Sequence, residues 1–130
     1  MKSSIVSLLT IFGLSMLIAT PAKSEIIPIA SSKDGEDEYF IDTDSVNLDR
    51  NFIEASIKSE YKTPLRNGTS SVTTRWRANC SYRSYMYIES AYYDLNGNFL
   101  GSNRQPSGWR AVRPGAVDEG IYSSICNFRR

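Results

Sequence analysis

The sequence predicts an α+β domain: an antiparallel sheet of about six strands with one C-terminal helix packed on one face. Two observations carry this reading, and a third ties the layers together. Most of the chain after residue 24 alternates apolar and polar residues with period two, whereas the last stretch changes to three- and four-residue spacing. The two cysteines, Cys80 and Cys126, fall one in each kind of segment. A sheet and a helix with one apolar surface each cover one another in two layers.

The elements follow in order along the chain. Ile26 to Ala30 reads as a short strand whose Pro28 suits a sheet edge. Glu38-Tyr39-Phe40-Ile41 is the second strand, broken by the turn-forming Asp42-Thr43-Asp44-Ser45. In the third, Ile53, Ala55, Ile57, Ser59 and Tyr61 share one face; in the fourth, Val72, Thr74, Trp76, Ala78 and Cys80 do. Tyr85 to Tyr93 is the fifth strand. It turns at Asp94 to Asn98, where Asn96-Gly97 is the strongest local hairpin signal, and returns through Phe99-Leu100-Gly101. Ser102 to Gly108 is a polar loop, and Trp109 with Arg110 reads as an edge closing over the helix start. After Pro114-Gly115, Val117, Ile121, Ile125 and Phe128 form an apolar stripe. Asp118 and Glu119 occupy the first turn, with Arg129 and Arg130 at the end, as the helix dipole favours.

The first 24 residues have a different purpose. Met1-Lys2, an apolar run from Ile5 to Ala19, and Pro21-Ala22-Lys23-Ser24 form a secretory signal peptide pattern cut after Ser24. The alternative is an uncleaved anchor, but about fifteen apolar residues are short for about 30 Å of hydrocarbon. No cysteine follows the run, so a lipid-modified amino terminus is not expected. Residues 25–130 then form a single exported domain without a transmembrane span, in the periplasm, at the cell surface or secreted.

Exported thiols meet an oxidising compartment, where two cysteines normally pair. With no histidine in the chain, the cysteines cannot close a zinc site without borrowed ligands. A catalytic thiol would need a base or a pKa-lowering neighbour, and none stands out. The expected Cys80–Cys126 bridge closes a long loop, which contributes about 4 kcal/mol by chain entropy. Cys80 shares the face of Trp76 and Cys126 borders the helix stripe, so the bridge pins helix to sheet.

The same composition excludes several functions. Absence of histidine removes the usual general base, and no serine sits in a recognised nucleophile motif, so no enzyme and no cofactor are expected. Fifteen Lys and Arg against fourteen Asp and Glu give no pull toward nucleic acid. Asp42, Asp44 and Asn47, and likewise Asp94, Asn96 and Asn98, are spaced like oxygen ligands of a calcium loop. The first set lacks the loop's fifth-position ligand and sixth-position glycine, and the second is better read as a hairpin turn, so no metal is expected. The tyrosines suggest a contact surface instead. Strict alternation puts Tyr85, Tyr87 and Tyr93 opposite Ile88 and Tyr92, and Arg75 and Arg77 project from the polar side of their strand. Arginine and tyrosine are enriched at protein interfaces, so these five are the candidate partner-binding residues; ordinary strand composition explains them as well. From Glu25 to Glu60 there are ten acids and three bases, and from Tyr61 onward four acids and ten bases. That asymmetry fits differently charged faces of one sheet, or a homodimer through complementary patches.

Tyr39-Phe40-Ile41-Asp42-Thr43-Asp44-Ser45-Val46, Asn79-Cys80, Tyr92-Tyr93-Asp94, Trp109, Pro114 to Glu119 and Ile125-Cys126 stand in a familiar order. Together they resemble the surface-adhesin protein E family of small exported bacterial proteins, over about residues 38 to 127. The resemblance implies the same sheet of about six strands with a disulfide-tethered helix. It also implies an adhesin-like binding module that contacts a protein or glycan partner at the envelope or outside the cell, as a homodimer. A structural or accessory periplasmic protein without external ligand is the alternative.

Overall fold

The computed structural model describes residues 25–129, so the expected signal peptide lies outside the described residues. The strands are β1 (Ile26–Ser31), β2 (Asp37–Asp42), β3 (Asn47–Asp49), β4 (Phe52–Tyr61), β5 (Ser71–Asn79), β6 (Ser84–Tyr93), β7 (Phe99–Asn103) and β8 (Arg110–Ala111). One helix, α1 (Val117–Cys126), follows. All neighbouring strands run antiparallel in the order β1-β2-β4-β5-β6-β7. This is the six-strand sheet with a C-terminal helix that the alternation predicts. Two short strands extend it: β3 pairs with the start of β4 beyond the end of β2, and β8 pairs with the start of β6 beyond β7.

The register in β4 and β5 places Ile53 opposite Ala78, Ala55 opposite Trp76 and Ile57 opposite Thr74. Their side chains project to one face, where α1 supplies Ile121, Tyr122 and Ile125, and Ile41 joins from β2. Burial of these aliphatic groups is the main source of stability, at roughly 1.5–3 kcal/mol for each fully buried side chain. Cys80 and Cys126 are joined by a disulfide with their Cα atoms 5.8 Å apart, which fastens the last turn of α1 to the end of β5. At the helix start, Ala116 offers no side-chain cap. Glu119 substitutes by accepting the Gly115 amide at 2.9 Å and the Arg83 guanidinium at 2.9 Å, which hold its carboxyl below its usual pKa.

Two local features differ from the sequence reading. Trp109 does not close over the helix start; it stacks on Phe52 with ring centroids 5.6 Å apart, on the opposite face of the sheet. The β6–β7 turn falls where the sequence places it, between Asp94 and Asn98, with Gly97 at φ 84° and the Asp94 carboxylate accepting amides of Asn96 and Asn98. Asn96 keeps a negative φ, so glycine alone provides the left-handed residue. The second difference is a β-bulge in β6: Arg75 faces Glu89 and Trp76 faces Tyr87, leaving Ile88 as the extra residue.

Replacing both cysteines by serine is expected to cost about 3–4 kcal/mol, read as a lower urea midpoint with an oxidised wild-type control. Gly120 lies in the middle of α1, and a Cβ there would meet the Ala30 Cβ at an ordinary 3.5 Å. Gly120→Ala is therefore expected to raise stability by about 0.5–1 kcal/mol; a drop in thermal midpoint would show that helix and β1 are closer than this geometry allows.

Candidate functional site

The bulge at Ile88 decides which tyrosines meet. One extra residue reverses the phase of β6, so Tyr85 and Tyr87 lie on the helix side before it, and Ser90 and Tyr92 lie there after it. Tyr93 is sent to the other face, next to Phe99. The five expected partner-binding residues are thereby divided, which corrects the single-face reading. Tyr85 is only 2% exposed, at the bottom of the helix-side face. Arg75, Arg77 and Tyr93 occupy the outer face, and Tyr87 alone of the five stands at an open surface on the helix side.

On the outer face the arginines are already engaged. Arg77 holds Glu54 Oε2 at 2.7 Å, and Arg75 Nε reaches Glu54 Oε1 at 3.5 Å. Arg75 Nη1 also donates to the Ser45 carbonyl at 2.9 Å and to Ser56 Oγ at 3.3 Å, across the break between β2 and β3. Ser45 Oγ in turn accepts the Ser56 amide at 2.8 Å. These contacts close the edge of β4 where no strand pairs with it. Acids of the first half meet bases of the second within one sheet, so part of the charge asymmetry is used internally.

The helix side carries the larger concavity. The described part of α1 packs on β1, β4 and β5 and leaves the remainder of this face open. There a groove of about 630 Å³ is floored by Tyr39, Tyr61, Trp76, Tyr85, Tyr87 and Tyr92. Its volume falls in the range of roughly 300–1,000 Å³ typical of small-ligand sites. One wall is the first half of α1, through Val117, Asp118 and Ile121. The opposite wall is the end of β7 at Asn103 and the loop that follows it, through Gln105 and Ser107. Ser107 anchors that loop to β6: its amide donates to the Tyr87 carbonyl at 3.0 Å, and its Oγ accepts the Tyr87 amide at 2.9 Å. Gly108 at φ 79° then lets the chain turn back into β8.

Asp118 fixes the junction of helix and groove. Its Oδ2 accepts the Tyr85 hydroxyl at 3.0 Å and Arg113 Nε at 3.2 Å, while its buried Oδ1 has no hydrogen-bond partner among the described residues. Burial raises the carboxyl's pKa, but the Tyr85 hydroxyl and the Arg113 guanidinium outweigh it and hold it below the usual value. Burial also raises the pKa of Tyr39 and Tyr61, so the groove presents neutral phenols. Arg110 at the rim lies 4.9 Å over the Tyr87 ring. Among the described residues no group of three or more histidine, cysteine, aspartate or glutamate side chains is placed to hold a metal ion.

Sequence reasoning missed Tyr39, Tyr61, Tyr92, Arg110 and the Asp118–Tyr85 pair as groove residues. A signal for Tyr61 was present, since it shares the packed alternation of Ile53, Ala55 and Ile57. Nothing in the sequence marks Ile88 as a bulge.

The profile of the surface-adhesin protein E family matches residues 27–127. The chain belongs to the surface-adhesin protein E family. Its structure is similar to that of Haemophilus influenzae protein E, with a TM-score of 0.62 at 16% identity, covering 84% of this chain and 89% of that one. A second crystal form of that protein gives a TM-score of 0.59 at 16% identity over 85% and 94% of the two chains. Protein E from non-typeable Haemophilus influenzae gives 0.59 at 17% identity over 85% and 82%. No curated protein matches the chain. At such identities the likeness to solved structures concerns the fold.

Two outcomes test the Asp118 pair. Tyr85→Phe removes one of the two partners of Oδ2 and is expected to cost about 1–2 kcal/mol in urea unfolding. Because the folded carboxyl titrates below the unfolded value of about 3.9, its contribution is present above that pH and is lost as pH falls through the folded value. Asp118→Asn should therefore flatten the loss of stability below about pH 4, and an unchanged acid limb would remove Asp118 from this role.

Proposed function

We propose that this protein is an exported, adhesin-like binding module that takes a protein or glycan partner at the cell envelope or outside the cell, using the tyrosine-floored groove. Membership of the surface-adhesin protein E family supports a binding role. The observation that carries the choice of surface is the groove itself, where tyrosines line a face that α1 leaves open. Tyrosine suits such a place, since its ring gives apolar area and its hydroxyl tolerates water or a partner's polar group. The outer face fits the role less well, because Arg75 and Arg77 are held by Glu54 and by the break between β2 and β3. No helix among the described residues is long and apolar enough to cross a membrane.

The reading is tested by affinity capture from envelope extract and culture medium, together with labelling of intact cells by a membrane-impermeant reagent. A Tyr61→Ser, Tyr92→Ser variant is expected to weaken capture at least about tenfold, while Tyr93→Ala on the outer face leaves it unchanged. A partner retained by the first variant and lost by the second would move the site to the other face. Protection from the reagent, with no protein in the medium, would favour an accessory periplasmic role.

A further inference from the structure

The groove is lined by two acids, Glu89 and Asp118, and two arginines, Arg110 and Arg113. Asp118 is matched by Arg113 at 3.2 Å, and Glu89 at the floor's edge is faced by Arg104 at 3.8 Å. Arg110 is different: its guanidinium lies over Tyr87, and among the described residues it has no carboxylate within ion-pair distance. It therefore offers a free planar fork of donors at the mouth of the groove. A guanidinium of this kind binds a carboxylate through two parallel hydrogen bonds, more strongly than a neutral pair. The remaining lining is rich in hydroxyls and amides, from Ser59, Thr74, Ser90, Asn103 and Gln105, and poor in aliphatic groups. Rings that give area, beside many short hydrogen-bonding groups, match a ligand with apolar C–H faces and a rim of hydroxyls, which is a pyranose.

Resting on the groove as the binding site, we infer that its occupant is a carboxylated glycan, a sugar chain with a uronic or sialic acid residue whose carboxylate is taken by Arg110. Tyr61, Tyr87 and Tyr92 supply area for the sugar faces, and the β7–β8 loop supplies amides and hydroxyls for the ring oxygens. The neighbouring Asp118 remains turned to Tyr85 and Arg113, so it does not oppose a carboxylate at Arg110.

The test is calorimetric titration of the protein, purified from the medium or envelope of the cell that exports it, with four probes: oligogalacturonate, its methyl ester, sialyllactose and lactose. One or both acidic probes should bind at least about tenfold tighter than the matched neutral one, and the preference should weaken as salt screens the pair. Which acidic probe binds distinguishes a uronate from a sialate. Arg110→Gln should abolish the acidic preference, Arg110→Lys should keep only part of it, and Arg110→Glu should reverse it, each with unchanged circular dichroism. Equal binding of acid and neutral probes, or an Arg110→Gln variant that behaves as wild type, overturns the assignment. Absence of binding to all four sugars overturns it too. In that case a protein captured through Tyr61 and Tyr92 would leave the binding-module reading standing, and loss of both would remove it.

Discussion

One short helix has to cover a wide sheet, and it cannot. The ten residues of α1 extend about 15 Å, whereas six strands at about 4.8 Å spacing span roughly 24 Å. The covered portion is built from Ile41, Ile53, Ala55, Ile57 and Ala78, side chains that gain only from losing water. The uncovered portion carries tyrosine, serine and threonine, which tolerate contact with water and with polar groups. The Cys80–Cys126 bridge keeps α1 over the first portion, so the boundary between a dry half and a wet half is held covalently. The groove exists because that boundary does not move.

Much of this arrangement was legible in the residues. Period two in β4 and β5 identified the packed face correctly down to Trp76 and Cys80, because both strands are regular and buried on one side only. The C-terminal helix was legible because Val117, Ile121 and Ile125 recur at its period, though it ends at Cys126 and passes into a short 3-10 turn. The turns were less legible. Arg50 between β3 and β4, and Arg83 between β5 and β6, adopt φ values of 54° and 48°, where a reader looks for glycine or asparagine. Arg83 is held there by Glu119, by the Tyr122 ring at 5.8 Å and by the Val112 amide on its carbonyl. Tertiary contacts therefore offset a local strain of about 1–2 kcal/mol that the sequence does not advertise.

The candidate site was read less well than the fold, and for one physical reason. A bulge changes the side-chain phase of everything beyond it, so a single unmarked residue moved Tyr92 inward and Tyr93 outward. Burial then separated Tyr85 from Tyr87, although both lie on the same side of the same strand. Tyr85 is stacked on Trp76 at 4.3 Å and tied to Asp118, while Tyr87 meets Trp76 edge-on and receives Arg110 from the rim. Residue type pointed to a contact surface; only the pairing register could say which copies of that residue take part.

The wall formed by the segment between β7 and β8 is held to β6 by Ser107 and by the exposed Arg104–Glu89 pair, and contributes nothing to the covalent clamp or to the aliphatic half of the core. Such a connection tolerates insertion and deletion far better than the strands it joins. Groove depth and selectivity can thus diverge among descendants of this scaffold while thermal resistance stays put, because recognition and robustness reside in separate stretches of the polypeptide.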